Sequence, residues 1–296
     1  MDFITIFAIV IIYHVVKKSY KNNNYIYRLQ NNIFYIMVNI YSIFKTFFIY
    51  AAAPFRIIFI FAVIMICNFF ILNNMKNEGD IMATILWFSK TFIFLMSYKI
   101  NISNEDFIKY MKYLYSDKKY LCVFNHTTLL DGNMLMSVFP RSSLVITRQK
   151  EHEYLGYTQK INDMIGSIII DKDGNTSSRI KERIDNRKIG VPVLFIAPCM
   201  GRTPDIPGNI TEFKKNGAFI NKYPILPIII KYEDESLNYN QDFGESFIHS
   251  YLKLFIVENY NINIIVGDMI EPYDKESVED FKGRVYNIMN EQYKEM

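Results

Sequence analysis

Two textures divide the chain. Up to residue 98 the apolar positions run together, and residues 3–16, 33–50, 57–72 and 81–98 are long stretches with few charges. From residue 99 short β-branched runs alternate with polar stretches of helical period. Residues 120–125, 143–147, 167–171, 192–197, 225–231 and 262–266 read as buried strands. Between them 129–138, 153–165, 177–187 and 241–258 read as helices, and 277–293 as a C-terminal amphipathic helix. Strands alternating with helices predict an α/β domain over 99–296. Its sheet is expected to be largely parallel with flanking helices, and its ligands to sit near strand ends.

The region 1–98 predicts one to four membrane-embedded helices ahead of that domain. Crossing the hydrocarbon takes about 17–25 predominantly apolar residues, so 3–16 is short. In 57–72 only Asn68 opposes a run of Ile, Phe, Val, Leu and Met. At about −0.3 to −0.6 kcal/mol for each strongly apolar residue, insertion of this run is favourable by several kcal/mol. Residues 33–50 contain Lys45 and 81–98 contain Lys90, each costing about +2.5 to +3.5 kcal/mol at mid-bilayer. Either run spans with its lysine snorkelling, or lies as a re-entrant or interfacial helix. The first run lacks a basic lead and a small-residue cleavage site, and Lys17, Lys18, Lys21 and Arg28 follow it. That pattern predicts an uncleaved anchor with this loop in the cytosol. A buried helical core is the competing reading, disfavoured by four such runs in succession.

Composition sharpens the picture. Half of the 296 residues are hydrophobic and 21% are charged, against about a quarter in soluble domains, so disorder is excluded and a membrane setting is favoured. Lys+Arg 33 against Asp+Glu 30 leaves a net charge of +3, which gives no reason to expect nucleic acid. Cys67, Cys122 and Cys199 are scattered, as are His14, His126, His152 and His249. Neither a disulfide framework nor a metal site is expected from such spacing.

The first strand of the second half ends in Asn125-His126-Thr127-Thr128-Leu129-Leu130-Asp131-Gly132. A histidine leaving a strand end, with a carboxylate five residues on, can fold so that Asp131 accepts the proton of one imidazole nitrogen. The other nitrogen is then a base able to deprotonate a hydroxyl without a serine or cysteine nucleophile. By itself the spacing favours a hydrogen-bonded structural histidine over a catalytic one.

Further motifs follow in order. Asn-His-x4-Asp resembles the first block of the glycerolipid acyltransferase superfamily, which includes lysophosphatidic acid, glycerol-3-phosphate and lysophosphatidylcholine acyltransferases. Gly166-Ser-Ile-Ile-Ile-Asp171-Lys172 resembles its second block, with lysine where arginine is usual. Phe195-Ile-Ala-Pro198-Cys199-Met200-Gly201-Arg202-Thr203 and Phe213-Lys214-Lys215-Asn216-Gly217-Ala218-Phe219 resemble the third, and Tyr223-Pro224-Ile225-Leu226-Pro227 the fourth. The third block departs from its usual Phe-Pro-Glu-Gly-Thr: the glutamate is missing and Cys199-Met200 stand there instead.

The resemblance implies a membrane-bound acyltransferase that moves a fatty acyl group from acyl-CoA, a co-substrate rather than a resident cofactor, to a lysophospholipid hydroxyl. The first acceptor to expect is 1-acyl-glycerol-3-phosphate, with glycerol-3-phosphate and lysophosphatidylcholine as alternatives. His126 and Asp131 would be catalytic. Asn125, Lys172, Gly201, Arg202, Thr203, Lys214 and Lys215 would contact substrate, Arg202 and Lys172 foremost at the acceptor phosphate. Lys172, Lys214 and Lys215 are equally readable as solvated charges. The lipid bilayer would be a partner, at the endoplasmic reticulum in a eukaryotic or viral setting. The missing glutamate leaves open a lipid-binding or scaffold protein of the same fold.

Overall fold

The structure is a computed structural model that describes residues 78–147, 166–170, 175–199, 208–213, 217–234 and 261–296, except 97, 129 and 192, with isolated positions 55, 58, 62, 237, 253 and 254. The elements are α1 (Glu78–Leu95), β1 (Lys99–Ile102), α2 (Asn104–Leu114), β2 (Leu121–Phe124), α3 (Asp131–Val138), β3 (Ser142–Thr147), β4 (Ile168–Ile170), α4 (Thr176–Asp185), β5 (Val193–Ile196), β6 (Ile225–Tyr232), β7 (Asn261–Val266) and α5 (Val278–Glu295).

The described strands form one sheet of seven in the order β1-β7-β6-β2-β5-β3-β4. Every pairing is parallel except β6 with β7, so the expected largely parallel α/β sheet is present. The six strands expected from apolar runs form within a residue or two of their predicted bounds. β1 and α2 escape the pattern. β1 reads Lys-Ile-Asn-Ile at the sheet margin, where one-sided pairing demands no apolar run. α2 is set by Ser103, whose Oγ accepts the Asp106 N–H at 3.0 Å, and by buried Tyr110 and Leu114 one turn apart. Ser277 caps α5 through Asp280 in the same way. The expected helices over 153–165 and most of 241–258 lie outside the described residues.

Alternation along β6 sorts the two faces of the sheet. Ile225 and Ile229 join Leu121, Val123, Phe281, Val285 and Met289 in a core beneath α5. On the same side Lys231 donates to the Tyr293 carbonyl at 3.1 Å. Ile228, Ile230 and Tyr232 point to the opposite face. That face also holds an aromatic cluster, with Tyr110 and Phe139 ring centroids 4.6 Å apart and Phe139 and Phe195 5.7 Å apart.

The run 81–98 corrects one expectation. Its helix, α1, packs along α3, with Met82, Ile85, Ser89 and Ile93 buried at helical spacing and Trp87, Lys90 and Phe94 exposed. With Glu78, Asp80 and Lys90 in 18 residues, it is a helix of the α/β unit rather than a span. Among the described residues no helix is long and apolar enough to cross a membrane. Runs 3–16 and 33–50, and nearly all of 57–72, lie outside the described residues.

Candidate active site

Three strands position the site. β2 lies between β5 and β6, with Val123 opposite Ile196 and Phe124 opposite Ile228. Where β2 ends, the neighbouring segments continue, so Asn125 and His126 emerge between the Cys199 region on one side and Ile230–Tyr232 on the other. β6 outlasts β2 because its far edge remains paired with β7, Tyr232 lying opposite Ile262.

Asn125 is fully buried, and its amide replaces the lost strand pairing. Nδ2 donates to the Ile230 carbonyl at 2.7 Å, and Oδ1 accepts the Ile230 N–H at 2.8 Å. Both ends of the side chain are therefore committed to backbone, which the resemblance did not foretell.

One residue further on, His126 Nδ1 lies 2.7 Å from Asp131 Oδ2. Asp131 opens α3 and is fully buried. Oδ2 also accepts the N–H groups of Thr127 at 2.7 Å and Thr128 at 3.0 Å. Those two donors and the imidazole converge on the one oxygen. A carboxylate oxygen that already accepts two N–H groups can only accept from the ring as well, so Nδ1 carries the proton and Nε2 presents a lone pair. The histidine side chain is 30% exposed, with the Phe124 ring edge-on at 5.8 Å. Among the described residues none bonds Nε2.

The second oxygen, Oδ1, accepts the Tyr232 hydroxyl at 2.5 Å and lies 3.1 Å from Thr128 Oγ1. Thr128 Oγ1 is also 3.0 Å from the Tyr232 oxygen and accepts the Leu130 N–H at 3.0 Å. Burial, and then the neighbouring Asp131 charge, push the Tyr232 phenol well above its ordinary range, so it remains a donor. Tyr232 could not have been singled out from sequence. It is one of 22 tyrosines and stands 101 residues from its partner.

Cys199 is buried against the main chain of His126. Its Sγ accepts the His126 N–H at 3.1 Å and lies 3.7 Å from the His126 carbonyl oxygen. Of the Cys199-Met200 pair that stands where the glutamate is expected, Cys199 belongs to the same core cluster as Phe213 and Phe219, and Met200 lies outside the described residues. These two phenylalanines stack at 5.9 Å and anchor both ends of the Phe-Lys-Lys-Asn-Gly-Ala-Phe stretch.

Of the expected site residues, His126, Asp131 and Asn125 come together at the end of β2. Lys172, Gly201, Arg202, Thr203, Lys214 and Lys215 lie outside the described residues. β4, which leads toward Lys172, is three strand spacings from β2, roughly 14 Å.

A partly exposed imidazole whose Nδ1–H is held by a buried carboxylate is equipped to take a proton at Nε2 and return it. Residues 99–231 match the family model described as Acyltransferase. No curated protein matches the chain. Among solved structures, the 1-acyl-sn-glycerophosphate (LPA) acyltransferase, PlsC, from Thermotoga maritima shares the fold. Its TM-score is 0.54 at 14% identity, over 87% of this chain and 96% of that one.

Proposed function

Residues 99–231 are an acyltransferase domain of the glycerolipid acyltransferase superfamily, and from that premise we propose that the chain acylates the free hydroxyl of a lysophospholipid, 1-acyl-glycerol-3-phosphate first, with acyl-CoA as donor. The observation that carries the reading is the 2.7 Å contact between His126 Nδ1 and Asp131 Oδ2, because it fixes the tautomer a general base needs.

In this reading Nε2 of His126 removes the acceptor hydroxyl proton as that oxygen attacks the thioester carbonyl carbon. Asp131 stabilises the imidazolium without taking its proton, as a carboxylate does beside histidine in hydrolytic triads. Collapse of the tetrahedral intermediate breaks the C–S bond, and the leaving thiolate receives the proton back from Nε2. No acyl-enzyme forms, and general base catalysis of this kind contributes roughly 10²- to 10⁴-fold. Backbone donors near Gly201 and Thr203 would stabilise the oxyanion. Arg202 offers a planar fork for the acceptor phosphate, assisted by Lys172, Lys214 and Lys215. Asn125 acts at one remove, since its amide holds β6 in place.

Work at a bilayer surface is supported by the exposed face of α1, where Trp87 and Phe94 flank Lys90. Aromatic rings with a snorkelling lysine suit the lipid headgroup boundary. In a eukaryotic or viral setting the membrane would be the endoplasmic reticulum. A second reading, a lipid-binding protein without turnover, is motivated by the missing third-block glutamate, where Cys199-Met200 stand instead.

The test is transfer of radiolabelled acyl groups from acyl-CoA in membranes expressing the full chain. The acceptor panel is 1-acyl-glycerol-3-phosphate, glycerol-3-phosphate and lysophosphatidylcholine. Label entering phosphatidic acid supports the proposal. Label in another product moves the acceptor. Lysolipid binding without transfer to any of them favours the second reading.

A further inference from the structure

Asp131 has two oxygens with separate duties. Oδ2 faces the imidazole and two loop N–H groups, and Oδ1 faces two hydroxyls, those of Tyr232 and Thr128. Only Tyr232 comes from another part of the sheet. It reaches Asp131 because β6 continues past the end of β2, the pairing with β7 holding its last residues in place. Both Asp131 and Tyr232 are buried, so water does not compete for this contact, and a hydrogen bond to a charged group in such surroundings is among the stronger kinds.

We infer that Tyr232 is a positioning residue of the acyl-transfer reaction, acting through Asp131 to fix the carboxylate plane and to set how strongly it supports the protonated His126. The inference rests on the reading of His126 as the general base.

The geometry carries two consequences. A carboxylate at the start of a short helix can rotate about its side-chain bonds, and a donor on Oδ1 removes that freedom. With the plane fixed, Oδ2 stays in line with Nδ1 and the Nε2 lone pair keeps one direction. Second, the phenol withdraws charge from the carboxylate. Without it Asp131 would attract the imidazolium more strongly. The Tyr232 phenol is itself kept protonated by burial and by the Asp131 charge. The other described titratable groups facing this array are Tyr98, which acts on Tyr232 from beyond the end of α1, and Cys199, which follows β5 and touches the His126 main chain.

Acyl transfer by the full chain in membranes is to be followed across pH for the wild type, Tyr232→Phe and Tyr232→3-fluorotyrosine. Tyr232→Phe is expected to lower kcat on the order of tenfold with KM for both substrates nearly unchanged. The acid limb of its kcat/KM profile should move to higher pH. Fluorination keeps the shape and makes the phenol a stronger donor, so that variant should fold as the wild type and move the acid limb to lower pH.

A residue needed only for packing would lower the amount of folded enzyme and leave both limbs where they are. Unmoved limbs in both variants, with His126→Ala inactive, overturn the role of Tyr232. Should Tyr232→Phe fail to fold, the fluorinated variant decides alone. Activity in His126→Ala would overturn the general-base reading itself, an outcome distinct from failure of the tyrosine inference.

Discussion

The thiol of Cys199 sits on the main chain of His126, accepting its N–H at 3.1 Å and lying 3.7 Å from its carbonyl oxygen. The two residues each lie three positions beyond a paired couple, Val123 and Ile196, so the contact continues the parallel register of β2 and β5 past the point where both strands end. A residue from the third motif block thereby supports the backbone of His126 in the first. Of the Cys199-Met200 pair that stands where the glutamate is expected, Cys199 is a core residue against the His126 main chain.

Placing a glutamate at Cys199 is therefore expected to harm the protein. Cys199→Glu would bury an unpaired carboxylate among apolar side chains, at a cost of several kcal/mol, and should abolish soluble folding of the domain or lower its melting temperature sharply. Cys199→Ala should fold with a modest loss, roughly 1–2 kcal/mol for the small cavity and lost sulfur contact. Thermal melts of the two variants check this. A stable, more active Cys199→Glu would show that the position opens to substrate.

His126→Ala should lose at least about 10²-fold in turnover, or about 2.7 kcal/mol of barrier, with little change in stability because the ring is partly exposed. Asp131→Asn should retain a small activity and also fold less stably. An amide cannot accept from every group that now donates to the carboxylate, so Thr127, Thr128 or Tyr232 is left facing an N–H. Paired measurements of kcat and chemical denaturation separate the two phenotypes. Near-wild-type turnover in His126→Ala would contradict the mechanism.

Asn125→Ala strands the N–H and carbonyl of Ile230 in a buried setting, and each unsatisfied group costs about 1–3 kcal/mol. The expected outcome is a marked drop in stability, with KM for acceptor and donor nearly unchanged in the fraction that folds. A selective rise in acceptor KM at wild-type stability would instead make Asn125 a substrate contact.

Acid should loosen the start of α5. Arg284 clasps Glu276 through two contacts of 2.8 Å, and Glu276 also accepts the Tyr273 N–H at 2.9 Å. The Arg284 hydrogen bonds hold the Glu276 carboxyl below its usual range. A folded-state value below the unfolded one means stability that is fully present above the unfolded carboxylate range, near pH 4.3, and is lost as pH falls through the folded value. Denaturation midpoints measured from neutral to acid pH should fall more steeply for the wild type than for Glu276→Gln. Parallel slopes would remove Glu276 from the acid response.

Much of this protein is written locally. Runs such as Leu121-Cys-Val-Phe124 and Ile228-Ile-Ile230 are apolar throughout because a central strand is covered on both faces, so the strands were readable without a structure. The His126–Asp131 pair was readable for a similar reason. Both partners lie on one strand–loop–helix unit, and five residues suffice to close the ring of hydrogen bonds through Thr127 and Thr128. What the sequence could not determine depends on chain crossings. The order of the sheet brings Cys199 to His126 and Tyr232 to Asp131, respectively 73 and 101 residues apart. The third motif block marks Cys199 but not what it touches, and nothing beside Tyr232 marks it at all, because a lone buried tyrosine has the same local pattern wherever it packs. The apolar run 81–98 shows the converse. Hydrophobicity records that a helix must be covered, but whether lipid or another helix covers it is decided by the surface available, and for the stripe from Met82 to Ile93 that surface is α3.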